Sequence, residues 1–396
     1  MKPGYQKQYL IFFAQRDSKR RDKLMSNIRA VSLFTGAGGM DVGFERAGIS
    51  IVFANEIIKE AAETYSSNRD TDVIINDDIN NVMDRLDKLS GIDLVFGGPL
   101  CQGFSVAGKM NPDDKRSELI FTFLEAVRRV SPVAFIMENV KALGVLQKWE
   151  PVRKKYLEHV TSMGYTCAPF VLNATEYGVP QKRERVFFIG IKGNPDPFYE
   201  HHMRYCIEQQ KSTTPSVREC LCSLGRAGTK KNPDTCPAKI TFALHPVMRK
   251  SPYAGMYFNG QGRPVDVDGY ANTLPASMGG NKTPFVDEEY LYGNAVNDWV
   301  ADYHKGLMDG NIMPRNGEAP DRLRRLTVKE AARLQTFPDD YIWCGNKGSV
   351  YRQIGNAVPC RLAEAVAKAV LWYMDDNGRA SQSIQEIKPN NVSCPM

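Results

Sequence analysis

The chain has 396 residues, Lys plus Arg 51 against Asp plus Glu 45, a formal net charge of +6, and 42% apolar and 24% charged residues. That length exceeds what one hydrophobic core usually organises, so two domains or one domain with a large insertion are expected. The composition excludes a wholly disordered or membrane-embedded chain.

The charge is unevenly spread. Residues 1–30 hold eight basic side chains against Asp17 and Asp22, whereas residues 31–396 balance at 43 against 43. This basic arm places its charges after the apolar run Tyr9–Ala14 and has no small-residue cleavage site, the reverse of a secretory signal, so a cytoplasmic protein is expected. Nine irregularly spaced cysteines read as free thiols, not as a disulfide framework.

Apolar runs at 31–34, 49–54, 73–75, 93–96, 133–137, 170–172 and 186–191 predict buried strands. Amphipathic stretches such as 118–130 predict helices between them. Alternating strands and helices imply an α/β fold, a doubly wound, mostly parallel sheet covered on both faces. From 192 to 323 the texture turns to Gly, Pro, Asn and Ser, which predicts a separate irregular domain. Within it, residues 201–263 carry ten bases against three acids and residues 264–323 four against ten, a division that predicts two faces, one suited to a polyanion. Helical signals return at 326–335 and in the stripe Leu362, Val366, Val370 and Tyr373, and the polar residues 377–396 read as a flexible tail.

Residues able to do chemistry fall at the ends of the expected strands. Leu33 to Asp41 (LFTGAGGMD) is a Gly-rich turn into a helix, where glycines admit a close ligand and the helix start offers free N–H groups. Asp41 stands where the dinucleotide fingerprint needs its third glycine, which excludes that fingerprint. Glu56 closes the second strand and Asp78 the third, at the edge where crevice ligands bind in such sheets. Cys101 lies in the loop GGPLCQGFS after the fourth strand, placed as a nucleophile if its thiolate is stabilised. Glu138 closes the fifth and can act as a general acid if burial raises its pKa. Arg183 and Arg185, in QKRER, share a face and can grip a phosphate or a carboxylate. Taken singly, each has a plain structural reading: a tight turn, a helix cap, a small buried thiol, a charged strand edge.

Taken together and in order, FTGAGG, NE, DDI, PLCQGFS, ENV, QKRER, RRLTVKEAARLQTFP and QIGNAVP resemble the DNA cytosine-5 methyltransferase family over nearly all of residues 29–376 except the variable middle. The resemblance implies a Rossmann-like S-adenosylmethionine-dependent methyltransferase fold with a smaller target-recognition domain. The implied division is a basic arm at 1–28, a catalytic and cofactor-binding domain at 29–191, target recognition at 192–323, a return to the catalytic domain at 324–376 and a tail at 377–396. It implies that Phe34, Thr35, Gly36, Ala37, Gly38 and Gly39 cradle S-adenosylmethionine, with Phe34 against the adenine. Glu56 would take the ribose hydroxyls and Asp78 the adenine amino group, with Ile57, Ile79, Gly98, Asn356, Ala357 and Val358 completing the pocket.

By the same resemblance Cys101 is the nucleophile, with Gln102 opening a mobile catalytic loop that extends to about Ser117. Glu138 bonds the pyrimidine, and Arg183 and Arg185 support it. Leu100 departs from the family, which usually has Pro before the cysteine; the φ restraint that proline supplies is absent there. The segment Ala271-Asn272-Thr273-Leu274-Pro275 resembles the Thr-Leu element of target-recognition domains. The implied function is sequence-specific methylation of carbon 5 of a flipped cytosine in double-stranded DNA, by a cytoplasmic, nucleoid-associated monomer paired functionally with a restriction endonuclease. The alternatives are a tRNA methyltransferase of the Dnmt2 type and a DNA-binding regulator with weakened catalysis. No metal is expected, since Cys206, Cys220, Cys222 and Cys236, with His201 and His202 nearby, lack the usual zinc-knuckle spacing.

Overall fold

The computed structural model describes residues 28–69, 71–99 and 118–386, with the backbone alone for Thr71 and residues 377–386. Its centre is a seven-stranded sheet. In chain order the elements that build it are β1 (Arg29–Leu33), α1 (Gly39–Arg46), β2 (Ser50–Glu56), α2 (Lys59–Ser67), β3 (Ile74–Asn76), α3 (Ile79–Leu86), β4 (Leu94–Gly97), α4 (Leu119–Val130), β5 (Ala134–Val140), α5 (Glu150–Ser162), β6 (Tyr165–Asn173), a short β7 (Gln181–Lys182) outside the sheet, and β8 (Glu184–Lys192).

The strand order is β3-β2-β1-β4-β5-β8-β6. The first five run parallel, and β8 lies antiparallel between β5 and β6. This is the doubly wound, mostly parallel sheet expected of an S-adenosylmethionine-dependent methyltransferase fold. The order in which strands are added reverses between β1 and β4, which opens a crevice at their carboxyl ends.

Both faces of the sheet are covered, because successive side chains of a strand point to opposite sides. Ala134 and Ile136 face one core, together with Phe44 of α1, while Phe135 and Met137 face the other, together with Phe123 of α4. The strand β6 is longer than its apolar run 170–172 implies. It is an edge strand whose second face, with Cys167 and Val171, is only partly covered by the other core, so it alternates buried and half-buried residues and accepts Pro169.

Beyond the sheet come α6 (Tyr199–Glu208), the hairpin β9 (Phe242–Val247) and β10 (Met256–Phe258), β11 (Ala271–Asn272), β12 (Phe285–Asp287), α7 (Trp299–Met308), β13 (Leu323–Arg325), α8 (Val328–Leu334), α9 (Lys347–Asn356) and α10 (Cys360–Glu386). Phe242, Tyr257, Phe258, Phe285 and Tyr303 form a small aromatic core of their own. The change of texture at residue 192 is not where the packing changes. Tyr199, Met203, Cys206 and Ile207 of α6 are buried with the sheet and with α10, because their helical stripe faces the apolar stripe of that last helix. Among the described residues no helix is long and apolar enough to cross a membrane.

The contact between α1 and α10 depends on a glycine. A Cβ at Gly43 would overlap the Cys360 carbonyl oxygen and stand 2.5 Å from the Glu364 backbone nitrogen. Exchanging a helical glycine for alanine ordinarily stabilises by about 1 kcal/mol. Here Gly43→Ala must push two helices apart, and the expected outcome is a loss of about 1–3 kcal/mol, read as a lower urea midpoint with an unchanged slope. A midpoint at or above that of the unmutated protein would contradict this packing.

Candidate active site

The carboxyl ends of β1, β2, β4 and β5 lie side by side, since Leu33 pairs with Asn55 and with Gly97, and Gly97 with Met137. After β1 the chain turns through Phe34 at φ 55°, a left-handed conformation that costs a non-glycine residue about 1–3 kcal/mol and concentrates at functional sites. Gly36 and Gly38 continue the turn at φ 55° and 80°.

Two hydrogen bonds from the loop fix the turn against β2. Thr35 N donates to the Asn55 carbonyl at 3.1 Å, and Gly36 N donates to Glu56 Oε2 at 2.8 Å. The other carboxylate oxygen of Glu56 accepts from Ile58 N at 2.7 Å, and burial raises the pKa of this carboxyl against those backbone bonds. A Cβ on Gly36 would meet nothing within 4 Å, whereas one on Gly39 would stand 2.7 Å from the Val358 carbonyl oxygen and 2.9 Å from Ala357 Cβ. The Gly-rich turn is therefore open on one side and closed on the other by the segment after α9. Ala37 is buried within the turn, Asn356 is exposed, and Ile57 beside Glu56 is 53% exposed.

Two of the expected ligand contacts have other partners here. Asp78 caps α3: its Oδ1 accepts from Asn80 N and Asn80 Nδ2, both at 2.8 Å. Ile79 is 3% exposed and packs in the core with Val31, Leu33 and Phe53, because the first residue of that helix turns back under the sheet.

At the other end of the crevice stands Glu138. Its Oε1 pairs with Arg185 Nε at 2.9 Å, and both side chains are nearly buried. Burial pushes the Glu138 carboxyl above its ordinary pKa, while Arg185 and then Arg183 pull it back. A Cβ at Gly98 would lie 2.9 Å from Glu138 Oε2, so that glycine makes room for the carboxylate. Asn139 Nδ2 donates to the Pro99 carbonyl at 3.2 Å, anchoring the chain that leads toward Cys101. Leu100, Cys101, Gln102 and the loop to Ser117 lie outside the described residues.

Arg183 acts with Arg185 on the charge of Glu138 and is in addition held by the backbone. It is 1% exposed, and its two terminal nitrogens donate to the carbonyls of Leu274 (3.2 Å) and Gly355 (3.0 Å). Around it lies a buried polar network that sequence reasoning missed. Gln181 Nε2 donates to Gln335 Oε1 at 3.0 Å, Leu274 N donates to Gln181 Oε1 at 2.9 Å, and Gln335 Nε2 donates to the Ile354 carbonyl at 2.6 Å. Glutamines inside otherwise apolar or basic motifs were the available signal, since a buried amide needs partners.

The comparisons with known proteins agree over most of the chain. A family model described as C-5 cytosine-specific DNA methylase matches residues 28–372. The chain belongs to that family. Type II methyltransferase M.DdeI of Desulfomicrobium norvegicum is 31% identical over 391 residues, covering 90% of this chain and 92% of its own. M1.HphI of Haemophilus parahaemolyticus is 31% identical over 350 residues, 86% of each. Among solved structures, Schizosaccharomyces pombe Dnmt2 superposes with a TM-score of 0.61 at 17% identity over 89% of this chain and 99% of its own. Entamoeba histolytica EhMeth gives 0.58 at 14% over 89% and 99%. At those identities the likeness shows a shared fold.

In this methylase the two charge blocks of the middle region are joined in part by ion pairs: Arg218 pairs with Asp268 at 2.6 Å, Arg226 with Glu289 at 2.9 Å and Lys239 with Glu318 at 2.5 Å. Lys230, Lys231, Arg249 and Lys250 take part in none of these pairs.

Asp41, in the first turn of α1, is fully buried and accepts from Tyr65 Oη at 3.0 Å. Burial raises its pKa to about 6, against the pull of Arg69. A carboxyl whose pKa is higher folded than unfolded contributes stability that is complete in acid and lost as pH rises through the folded value. The window here runs from about pH 4 to about pH 6. Asp41→Asn removes the ionisation and keeps an acceptor for Tyr65. Its urea stability relative to the parent is expected to gain about 1–3 kcal/mol on going from pH 5 to pH 8. An equal effect at both pH values would contradict the assignment.

Proposed function

We propose that this methylase transfers a methyl group from S-adenosylmethionine to carbon 5 of a cytosine flipped out of double-stranded DNA, as the modification partner of a restriction endonuclease. The observation that carries the reading is the buried Glu138–Arg185 pair, set beside the Gly98-Pro99 turn that leads into Cys101 and on the same sheet edge as the Gly-rich turn.

The residues present suit the methyl donor. Its amino acid carboxylate matches the start of α1, where no side chain caps the free N–H groups and Gly36 leaves open space. Its ribose hydroxyls match Glu56, and its adenine matches the apolar flank of Phe34 and Ile57. The N-capping role of Asp78 leaves its Oδ2 as the acceptor for the adenine amino group. Asn356, Ala357 and Val358, held against Gly39, close the pocket on the side opposite the sheet. When bound, S-adenosylmethionine supplies an electrophilic methyl group.

The chain's own residues must make carbon 5 of cytosine nucleophilic. A stacked base is out of reach, and flipping it costs a few kcal/mol. The Cys101 thiolate adds to carbon 6, and the electron pair displaced from the 5,6 double bond develops toward nitrogen 3, where Glu138 holds a proton. Burial, which raises the pKa of Glu138, favours the protonated carboxyl, and Arg185 keeps that group oriented. After methylation a base removes the carbon-5 proton, the double bond re-forms and Cys101 leaves as thiolate. We further propose that the middle region, with α6 assigned to the sheet's core, reads the target sequence, that the basic arm makes non-specific phosphate contacts, and that the protein acts as a cytoplasmic, nucleoid-associated monomer.

Bisulfite sequencing of plasmid DNA from cells expressing the chain is expected to show protected cytosines confined to one short sequence. Cys101→Ser should abolish the protection, and Glu138→Ala should lower the methylation rate by about 10²–10⁴-fold, the usual contribution of a general acid. Full protection by Cys101→Ser, or methyl transfer to tRNA and not to duplex DNA, would overturn the proposal.

A further inference from the structure

Behind the Gly-rich turn lies a side-chain cluster that the proposed reaction does not use. Arg69 follows α2, and its guanidinium is nearly buried. It donates to the Gly38 carbonyl at 3.2 Å, to Tyr341 Oη at 3.0 Å and to both oxygens of Glu45 at 2.7 and 3.0 Å. The same group lies 4.3 Å from the centre of the Tyr65 ring. The Tyr341 hydroxyl in turn donates to the Ala37 carbonyl. Two successive carbonyls of the turn are thus held by two side chains that also hold each other.

This has a consequence for the donors on the other side. In a trans peptide the C=O and N–H point in opposite directions. Fixing the Ala37 carbonyl on Tyr341 turns the Gly38 N–H inward, where it donates to the Thr35 carbonyl at 2.9 Å. The Gly38 carbonyl accepts from Val42 N at 2.9 Å as the first bond of α1 and from Arg69 at 3.2 Å, so helix and guanidinium together turn the Gly39 N–H, at the uncapped start of α1, away from the cluster and toward the crevice. A Cβ at Gly38 would stand 2.7 Å from Arg69 Nη1, so glycine there is what admits the guanidinium.

The segment that carries Tyr341 is itself anchored to α2. Asn68 Nδ2 donates to the Ile342 carbonyl at 2.8 Å and Ile342 N donates back to Asn68 Oδ1 at 2.9 Å, while Cys344 N donates to Thr64 Oγ1 at 2.9 Å. From there the chain enters α9, whose far end closes on Gly39. One clamp therefore spans the back of the pocket from the Gly-rich turn to its closing segment.

We infer that Arg69 and Tyr341 are positioning residues for the S-adenosylmethionine pocket, orienting the peptides of Ala37, Gly38 and Gly39 without touching the ligand. The inference rests on the donor assignment made under Proposed function. Calorimetric titration with S-adenosylhomocysteine reads binding without turnover, and steady-state kinetics give KM separately for S-adenosylmethionine and for DNA.

Tyr341→Phe removes one hydroxyl and keeps the ring, and should weaken S-adenosylhomocysteine binding about three- to tenfold, the worth of one or two hydrogen bonds. Arg69→Met should weaken it more than tenfold, and Arg69→Lys should recover part of that loss. KM for S-adenosylmethionine should rise in step while KM for DNA stays at the parental value; the urea midpoint of Tyr341→Phe should fall modestly, by the worth of the lost buried hydrogen bonds, with binding measured where the variant is fully folded. Parental affinity in Tyr341→Phe and Arg69→Met, or an equal rise in KM for DNA, would overturn the inference. If the unmutated protein does not bind S-adenosylhomocysteine at all, the donor assignment itself fails, and the inference falls with it.

Discussion

A carboxylate and a guanidinium 2.9 Å apart at the carboxyl edge of the sheet, Glu138 and Arg185, form the interaction on which the reacting end depends. A charge taken out of water must be paired or must give up its ionisation. Here both happen in part, since Arg185 favours the carboxylate while burial favours the acid. The pairing is possible because β8 is the reversed strand: running antiparallel to β5, it places Arg185 opposite Val140, two residues along from Glu138. The antiparallel insertion in an otherwise parallel sheet is therefore what delivers a cation to the mouth of the crevice.

The second dependence is on close approach of backbones. Gly39 admits the Val358 carbonyl, Gly43 admits α10, and Gly98 admits the Glu138 carboxylate. Gly355 admits the backbone of Pro275 and Ala276, which brings α9 against the Thr-Leu segment. Gln181, Arg183 and Gln335 then tie those backbones with buried hydrogen bonds. The segment proposed to close the S-adenosylmethionine pocket and the Thr-Leu segment of the region proposed to read DNA are consequently two ends of one buried network. A shift at either end must be felt by the amides between them.

The sheet was legible in the sequence because strands buried on both faces write continuous apolar runs, as at Leu94–Gly97 and Val186–Ile191. The edge strand β6 was shortened in that reading, since its alternation hides in Thr166, Cys167 and Pro169. The Gly-rich turn, Glu56 and Glu138 stood out as polar or flexible residues directly after such runs. What the sequence did not carry was pairing across distance. Arg69 and Tyr341 meet across 272 residues, and neither sits in a pattern that marks it. Arg183 reads as half of an anion grip, and its further bonds to the carbonyls of Leu274 and Gly355 are seen only in the fold. Asp78 is the opposite case, a residue whose plain local role as a helix cap is written three residues wide in Asp-Ile-Asn.

The central claim is that Cys101 forms a covalent bond to carbon 6 of the target cytosine at a site completed by Glu138. Incubating the protein with S-adenosylmethionine and a duplex carrying 5-fluorocytosine in its target sequence tests this most directly, because fluorine cannot leave as a cation and the elimination that frees the enzyme is blocked. The account predicts a denaturation-resistant protein–DNA adduct, mapped by peptide mass to Cys101, that carries the transferred methyl group. Turnover on normal DNA with no adduct on the fluorinated duplex, or an adduct mapped to a different residue, would contradict it.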